Sequence, residues 1–295
     1  MENKNILMQA DHSRSRLMKE KAFLWIVVFF SVITISPIIL IIWRLIQKGI
    51  HQLSFSFLSK TTPDAFEAMT AVAAGERIPG GIVNGITGTL IMVALAAIIA
   101  IPTGLISGIY LYENPGKRLA NLIRNVADIL QGVPSIVLGL ISYLWVVRYV
   151  TQGFSALAGS VALSIMMLPM IVRSTEETLK MIPITIKEAA LALGVPYHKV
   201  ILRVLIPTSF SGLSTGILLG ISRIIGETAP LMLTALGSTA INWDITKPTS
   251  AIPLLVWEFY NNPYMVDMIW TSSLLLMIIV LSFNLMSKQI GTKRK

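Results

Sequence analysis

No cysteine occurs among the 295 residues, and there are only three histidines. The first absence removes disulfides and thiol chemistry. The second argues against a metal site, because His12, His51 and His198 lie in widely separated segments. Charge is scarce as well: 13% of residues are Asp, Glu, Lys or Arg, against about 25% in an ordinary soluble domain. Acids are the rarer sign, 15 against 24 bases. Nor does the chain contain a Gly-x-x-x-x-Gly-Lys-Ser/Thr run, so it lacks the loop that would cradle the phosphates of ATP.

What fills the space left by charge is long apolar sequence. Hydrophobic residues make up 54% of the chain and the mean hydropathy is +0.72. Several runs exceed the ~20 residues needed to cross a bilayer. They are continuous, where a barrel strand would alternate, which makes this an all-α integral membrane protein. The first run, Phe23 to Ile46, follows a basic N-terminus and has no small-residue cleavage site, so it reads as an uncleaved span. The net charge of +9 fits the positive-inside bias of membrane proteins and does not imply nucleic acid.

Six spans are expected, at about 23–46, 85–111, 125–149, 157–172, 212–236 and 266–287. Lys4, Arg14, Arg16, Lys19 and Lys21 fall on one side of the membrane. So do Lys117, Arg118 and Arg124, then Arg173, Lys180, Lys187, Lys199 and Arg203, and finally Lys288 and Lys293 to Lys295. That majority places both termini in the cytoplasm. The economical division is a cytoplasmic segment over 1–22 and one membrane domain over 23–295.

The inner loop 173–211 is the most informative. Residues 184–195 are rich in Ala and Leu, with Pro183 before them and Gly194-Val195-Pro196 after. Proline at a start and glycine then proline at an end bound a short helix. It should lie across the cytoplasmic face with Lys187 and Glu188 exposed, and a second helical segment should cover 197–206. Glu188-Ala189-Ala190, then Gly194, then Val204, Ile206 and Pro207 match the spacing of the EAA loop, and the chain here resembles the permeases of ABC importers. The resemblance implies a type I importer fold and a coupling helix seated in a separate cytoplasmic ATPase. ATP would then be used by that partner, with no cofactor bound by this chain.

The fifth run contains two charges, Arg223 and Glu227, in the stretch ISRIIGETAPLMLTA. Counted from Ser211, Arg223 lies about 18 Å along a helix, close to the middle of a hydrocarbon core ~30 Å thick. An ionised side chain there is costly unless it faces a partner or water. Four residues apart, the two share a helix face and can pair. Gly216, Gly220, Arg223, Glu227, Pro230 and Thr234 form one stripe, with Leu218, Leu219, Ile225, Leu231 and Leu233 opposite. Gly212, Gly216 and Gly220 recur every four residues, a pattern that lets helices approach closely. Pro230 should kink the helix at the carbonyl of Gly226. The pair reads either as a helix lock or as an arginine lining an anion path, its donor fork suited to an oxyanion. In span three, Asp128, Gln131 and Ser135 form a second polar stripe. Asp128 should pair with Arg124, and Pro134 should kink the span.

The stretch RIIGETAPLMLTA is similar to the signature of the PstA-type permeases of phosphate-specific ABC transporters, as are PGGIVNGITGTL over 79–90 and LQGVPSIVLGL over 130–140. This resemblance implies translocation of inorganic phosphate across a bacterial or archaeal cytoplasmic membrane. It assigns Arg223 to substrate and Glu227 as its charge partner, with Thr228 in the same signature; Gln131 and Ser135 are further candidates for the pathway from the polar stripe of span three. It also implies a related second permease, two ATPase copies and an external phosphate-binding protein. From the residues alone, sulfate or molybdate would serve as well as phosphate. An intramembrane enzyme using Glu227 is the rival class, but span five offers it only Arg and Thr as companions.

Overall fold

The computed structural model describes residues 2–292, with side chains from Arg16 to Ile290. Lys4, Arg14 and Lys293 to Lys295, which carry part of the topology reading, lie outside the described side chains. The helices are α1 (Glu2–Gly49), α2 (Phe55–Ser59), α3 (Ala65–Ala73), α4 (Val83–Glu113), α5 (Arg118–Gly132), α6 (Ser135–Ser142), α7 (Ala156–Lys180), α8 (Ile184–Ala192), α9 (Tyr197–Val200), α10 (Ile206–Ile225), α11 (Ala229–Met232), α12 (Ile252–Tyr260) and α13 (Val266–Thr292). Among the described residues, five helical stretches are long and apolar enough to span a membrane, or six if one bent pair counts as a span.

That bent pair corrects the expected span three. Helices α5 and α6 meet at 108°, a break where a modest kink was expected. Val133 is extended, with φ −74° and ψ 132°, as the residue before a proline is driven to be, and Pro134 has no N–H to continue the ladder. Gln131 and Ser135 therefore do not share a helix face, because the bend lies between them.

Span five is corrected too. Helix α10 stops at Ile225, and the Gly226 N–H caps it on the Arg223 carbonyl. Pro230 then occupies the first turn of α11, where its missing N–H is tolerated. The stripe proposed through Pro230 and Thr234 consequently ends at the break. Beyond it Leu231 and Thr234 turn into the core, and Ile225 is also buried. At the other end, α9 and α10 join through a π-helical turn over Ile201–Leu205. There the Ile206 N–H reaches back to the Ile201 carbonyl, which loosens the turn that the Pro207 ring would otherwise crowd.

The core is built on α4 against α7. Met92, Ala96 and Ala100 of α4 meet Leu163, Met166, Met167 and Ile171 of α7, with Leu138, Ile224 and Leu231 closing the cluster. Small residues allow this approach: a Cβ added at Gly108 would lie 2.5 Å from the Cβ of Thr175. The glycine repeat of α10 seats on α7 as its spacing suggested, Gly212 against Thr178, Gly216 against Ser174 and Gly220 against Met167. On the other side of α10, Ser222 bonds the Asn284 side chain of α13 at 3.1 Å, and Ser211 bonds the Ile290 carbonyl at 3.0 Å. Span one stands apart, with its apolar window unburied in the chain itself; it touches α13 through Gly49, whose carbonyl accepts from Thr271 at 2.9 Å.

The loop after α11 caps α7: the Ser155, Ala156 and Leu157 N–H groups bond the carbonyls of Thr234, Lys247 and Ile245. Within that loop the hydroxyl and N–H of Thr246 hold the Asp244 carboxyl below its usual range. Gly108→Ala should destabilise the protein by about 1–3 kcal/mol through overpacking. Gly116→Ala, where an added Cβ meets nothing within 4 Å, should leave the thermal midpoint in detergent unchanged.

Candidate functional site

Arg223 lies in the last turn of α10 and Glu227 just past its end. The break at Gly226 loosens their pairing: Nε to Oε1 is 3.9 Å, too long for a hydrogen bond. The Arg223 side chain is 44% exposed and that of Glu227 21%. Its other contact is an Nη1 donation to the sulfur of Met170 on α7 at 3.4 Å, a weak acceptor. Arg223 thus presents most of its donor fork to whatever lies outside this chain. In a membrane that cannot be lipid at acceptable cost.

One turn along α7 from Met170 stands Arg173, and here the expected partnership changes. Asp128 was expected to pair with Arg124, but it accepts from Arg173, through Nε at 3.0 Å and through Nη2 as well. Arg124 instead donates to Glu176 at 2.9 Å. The Glu176 side chain is 1% exposed and also receives Lys180 at 2.6 Å, with Arg173 3.8 Å away. Burial opposes its charge, and the three cations sustain it. Arg124 further donates to the carbonyls of Leu111 and Pro115 and to Asn121, so one side chain gathers the C-terminal ends of α4 and α7 and the start of α5.

A loop beginning at 173 hides this network in the sequence, whereas α7 continues to Lys180. The signal was present in the sequence: Glu176 and Lys180 stand four apart, in the favourable order for a helix.

The remaining candidates are distributed as follows. Ser135 opens α6 and Thr228 precedes α11, and these two helices pack together, a Cβ at Gly139 falling 2.6 Å from Pro230 Cα. Gln131 is exposed at the end of α5. Among the described residues no hydrogen bond joins Gln131, Ser135 or Thr228 to Arg223. Near α11 and α12, Met232, Gly237, Ser238, Thr239, Trp257 and Glu258 help to line a cavity of about 330 Å³, which no sequence pattern marks.

The coupling-loop residues form the expected short helix. Glu188 and Ala189 are exposed and Ala190 is half-buried. Gly194 has φ +75°, and with the bonds Gly194 N–H to Leu191 and Val195 N–H to Ala190 it ends α8 in a Schellman motif. A side chain there would be strained. Pro207 lies in the first turn of α10. Lys187, expected to be exposed, is instead drawn inward to Glu113 at 2.6 Å.

Residues 100–292 match the family described as binding-protein-dependent transport system inner membrane component. The phosphate transport system permease protein PstA of Yersinia pestis is 36% identical over 261 residues, 88% of this chain and 85% of that protein. Its counterpart in Pasteurella multocida is 33% identical over 287 residues, covering 95% and 97%. PstA 1 of Mycobacterium tuberculosis strain CDC 1551 / Oshkosh is 34% identical over 273 residues, 90% and 86%. Among solved structures, the inward-facing MetNI methionine ABC transporter superposes with a TM-score of 0.60 at 24% identity, over 71% of this chain and 94% of that one. This likeness bears on the fold alone.

Glu176→Gln should cost about 1–3 kcal/mol, because the buried end of the Arg124 side chain and two partly exposed cations lose their shared acceptor. Lys180→Met removes a half-exposed partner and should cost under about 1 kcal/mol. Thermal unfolding of the purified variants in detergent reads the difference.

Proposed function

The chain belongs to the family of binding-protein-dependent transport system inner membrane components, and from that premise we propose that it is the permease subunit through which inorganic phosphate enters the cell. The curated relatives named as phosphate transport permeases align over most of the chain, including the stretch around Arg223 and Glu227. The observation that carries the site assignment is the open guanidinium of Arg223, placed within an apolar span and only loosely held by Glu227.

Arg223 is the anion contact and Glu227 its restraint, with Thr228 and Ser135 as polar neighbours and Gln131 toward the inner side. One arginine opposite one glutamate gives no net positive charge, so the pathway needs a second permease to supply more. That partner is related to this chain and covers the face on which Arg223 is exposed. An external phosphate-binding protein delivers substrate. Two cytoplasmic ATPase copies take the α8 helices, at Glu188 to Gly194, into their clefts. This chain is a transport subunit with no ATPase site of its own. The protein sits in the cytoplasmic membrane with both termini inside, and residues 23–295 act as a single membrane domain.

The cycle is alternating access. Closure of the ATPases on ATP moves α8, the inner ends of α7 and α10 follow, and the Arg223 face opens outward to receive phosphate. Hydrolysis returns it to the inner side. A fork of N–H donors suits a tetrahedral oxyanion, since it can bind two oxygens at once.

Arg223→Gln should abolish ATP-dependent uptake of radiolabelled phosphate into proteoliposomes while the complex still assembles. Uptake at the wild-type rate by that variant would remove Arg223 from the pathway.

A further inference from the structure

Helix α8 has no buried residue of its own, yet it is firmly fastened at one point. Lys187 donates to Glu113 Oε2 at 2.6 Å and to the Tyr197 hydroxyl at 3.3 Å. Its ammonium stands 5.4 Å from the ring centroid of Tyr112 and 5.1 Å from that of Tyr197. The side chains of Lys187 and Glu113 are 18% and 9% exposed. A cation between two aromatic rings and against a mostly buried carboxylate is held in direction as well as distance.

Glu113 is the last residue of α4. The lysine therefore fastens the short cytoplasmic helix to a span to which it is not joined in sequence. Chain continuity links α8 only to α7 and, through α9, to α10. The same last turn of α4 is gripped from the other side by Arg124, which donates to the Leu111 carbonyl and to Glu176. Further along, α4 packs its small residues against α7 and shares a core with Ile224, the neighbour of Arg223.

We propose that the Lys187–Glu113 pair is the tether through which movement of α8 is imposed on α4, making both side chains positioning residues for transport. The inference rests on the reading of α8 as the element that an ATPase moves. Apolar contacts such as those of Ala190 and Val195 beneath α8 let packed surfaces slide. A directed ion pair does not, so a displacement of α8 is passed to α4 without slack. When the pair is absent, α8 still moves with the ATPase while α4 lags, and hydrolysis proceeds without opening the pathway.

The test uses the full complex, with its second permease and ATPases, in proteoliposomes supplied with the phosphate-binding protein. Phosphate uptake and ATP hydrolysis are measured on the same preparation. Lys187→Met and Glu113→Gln should each keep hydrolysis within about twofold of wild type and lower phosphate taken up per ATP by at least tenfold. Because the chain has no cysteine, Glu113→Cys combined with Lys187→Cys can be bridged within it by a short bis-methanethiosulfonate reagent. Bridging should restore the ratio, and dithiothreitol should remove it again. An unchanged ratio in the single variants, or a lost ratio that bridging does not recover, overturns the tether. Failure of the wild-type complex to couple uptake to ATP would instead overturn the transport reading.

Discussion

A carboxylate that is 1% exposed can remain ionised only if its surroundings replace the water it has lost. Glu176 meets that demand with Arg124, Lys180 and, at longer range, Arg173, and that end of the helix bundle is arranged around the result. Arg124 comes from α5, beyond the sharp bend at Val133-Pro134, and it also grips the Leu111 carbonyl at the end of α4. Arg173 carries the network on to Asp128. Three helices are thereby fixed in azimuth and depth at one end of the bundle. Taking away the carboxylate would leave three partly exposed cations close together without the acceptor they share.

The same electrostatic rule accounts for the other charged pair by its opposite outcome. Arg223 and Glu227 are not closed upon each other, because α10 ends between them at Gly226. An intact helix would have stacked them on one face at hydrogen-bonding reach. The break leaves the guanidinium pointing out of the chain with a thioether as its nearest hydrogen-bond partner. The Glu176 network finds its counter-charges within the chain, although Glu176 Oε2 has no hydrogen-bond partner among the described residues. The Arg223 fork has only loose partners within the described residues, and its proposed role as an anion contact rests on that.

Much of this was legible in the sequence, and the limits follow from which force decides each feature. The spans could be read because hydropathy over ~20 residues is dictated by the solvent they cross. Helix α8 could be read because Pro183 and Gly194 act locally, and the glycine repeat of α10 because close approach has no other residue to use. At Gly226 the place of a kink was legible from Pro230, which has no N–H for that carbonyl, but not its extent: a complete end of α10, with Pro230 packed on α6 and Leu231 in the core, is a tertiary outcome. The partners of Asp128 and Arg124 were exchanged because sequence proximity suggested a pairing that the α5–α7 interface replaced. Lys187 was expected in water because a lysine on a surface helix usually is, and Glu113 lies 74 residues away from it.

The central claim is that the polar face around Arg223 is a wetted anion path, and the absence of cysteine makes a direct measurement possible. Thr228→Cys keeps Arg223 in place and puts a thiol beside Glu227; Phe30→Cys puts one on the exposed apolar surface of α1. Reaction with a membrane-impermeant methanethiosulfonate is followed in the reconstituted, cycling complex. The account predicts that Thr228→Cys is labelled, that phosphate slows the labelling, and that Phe30→Cys stays unlabelled. Thr228→Cys that is inert throughout the cycle, or labelled at a rate indifferent to phosphate, would contradict it.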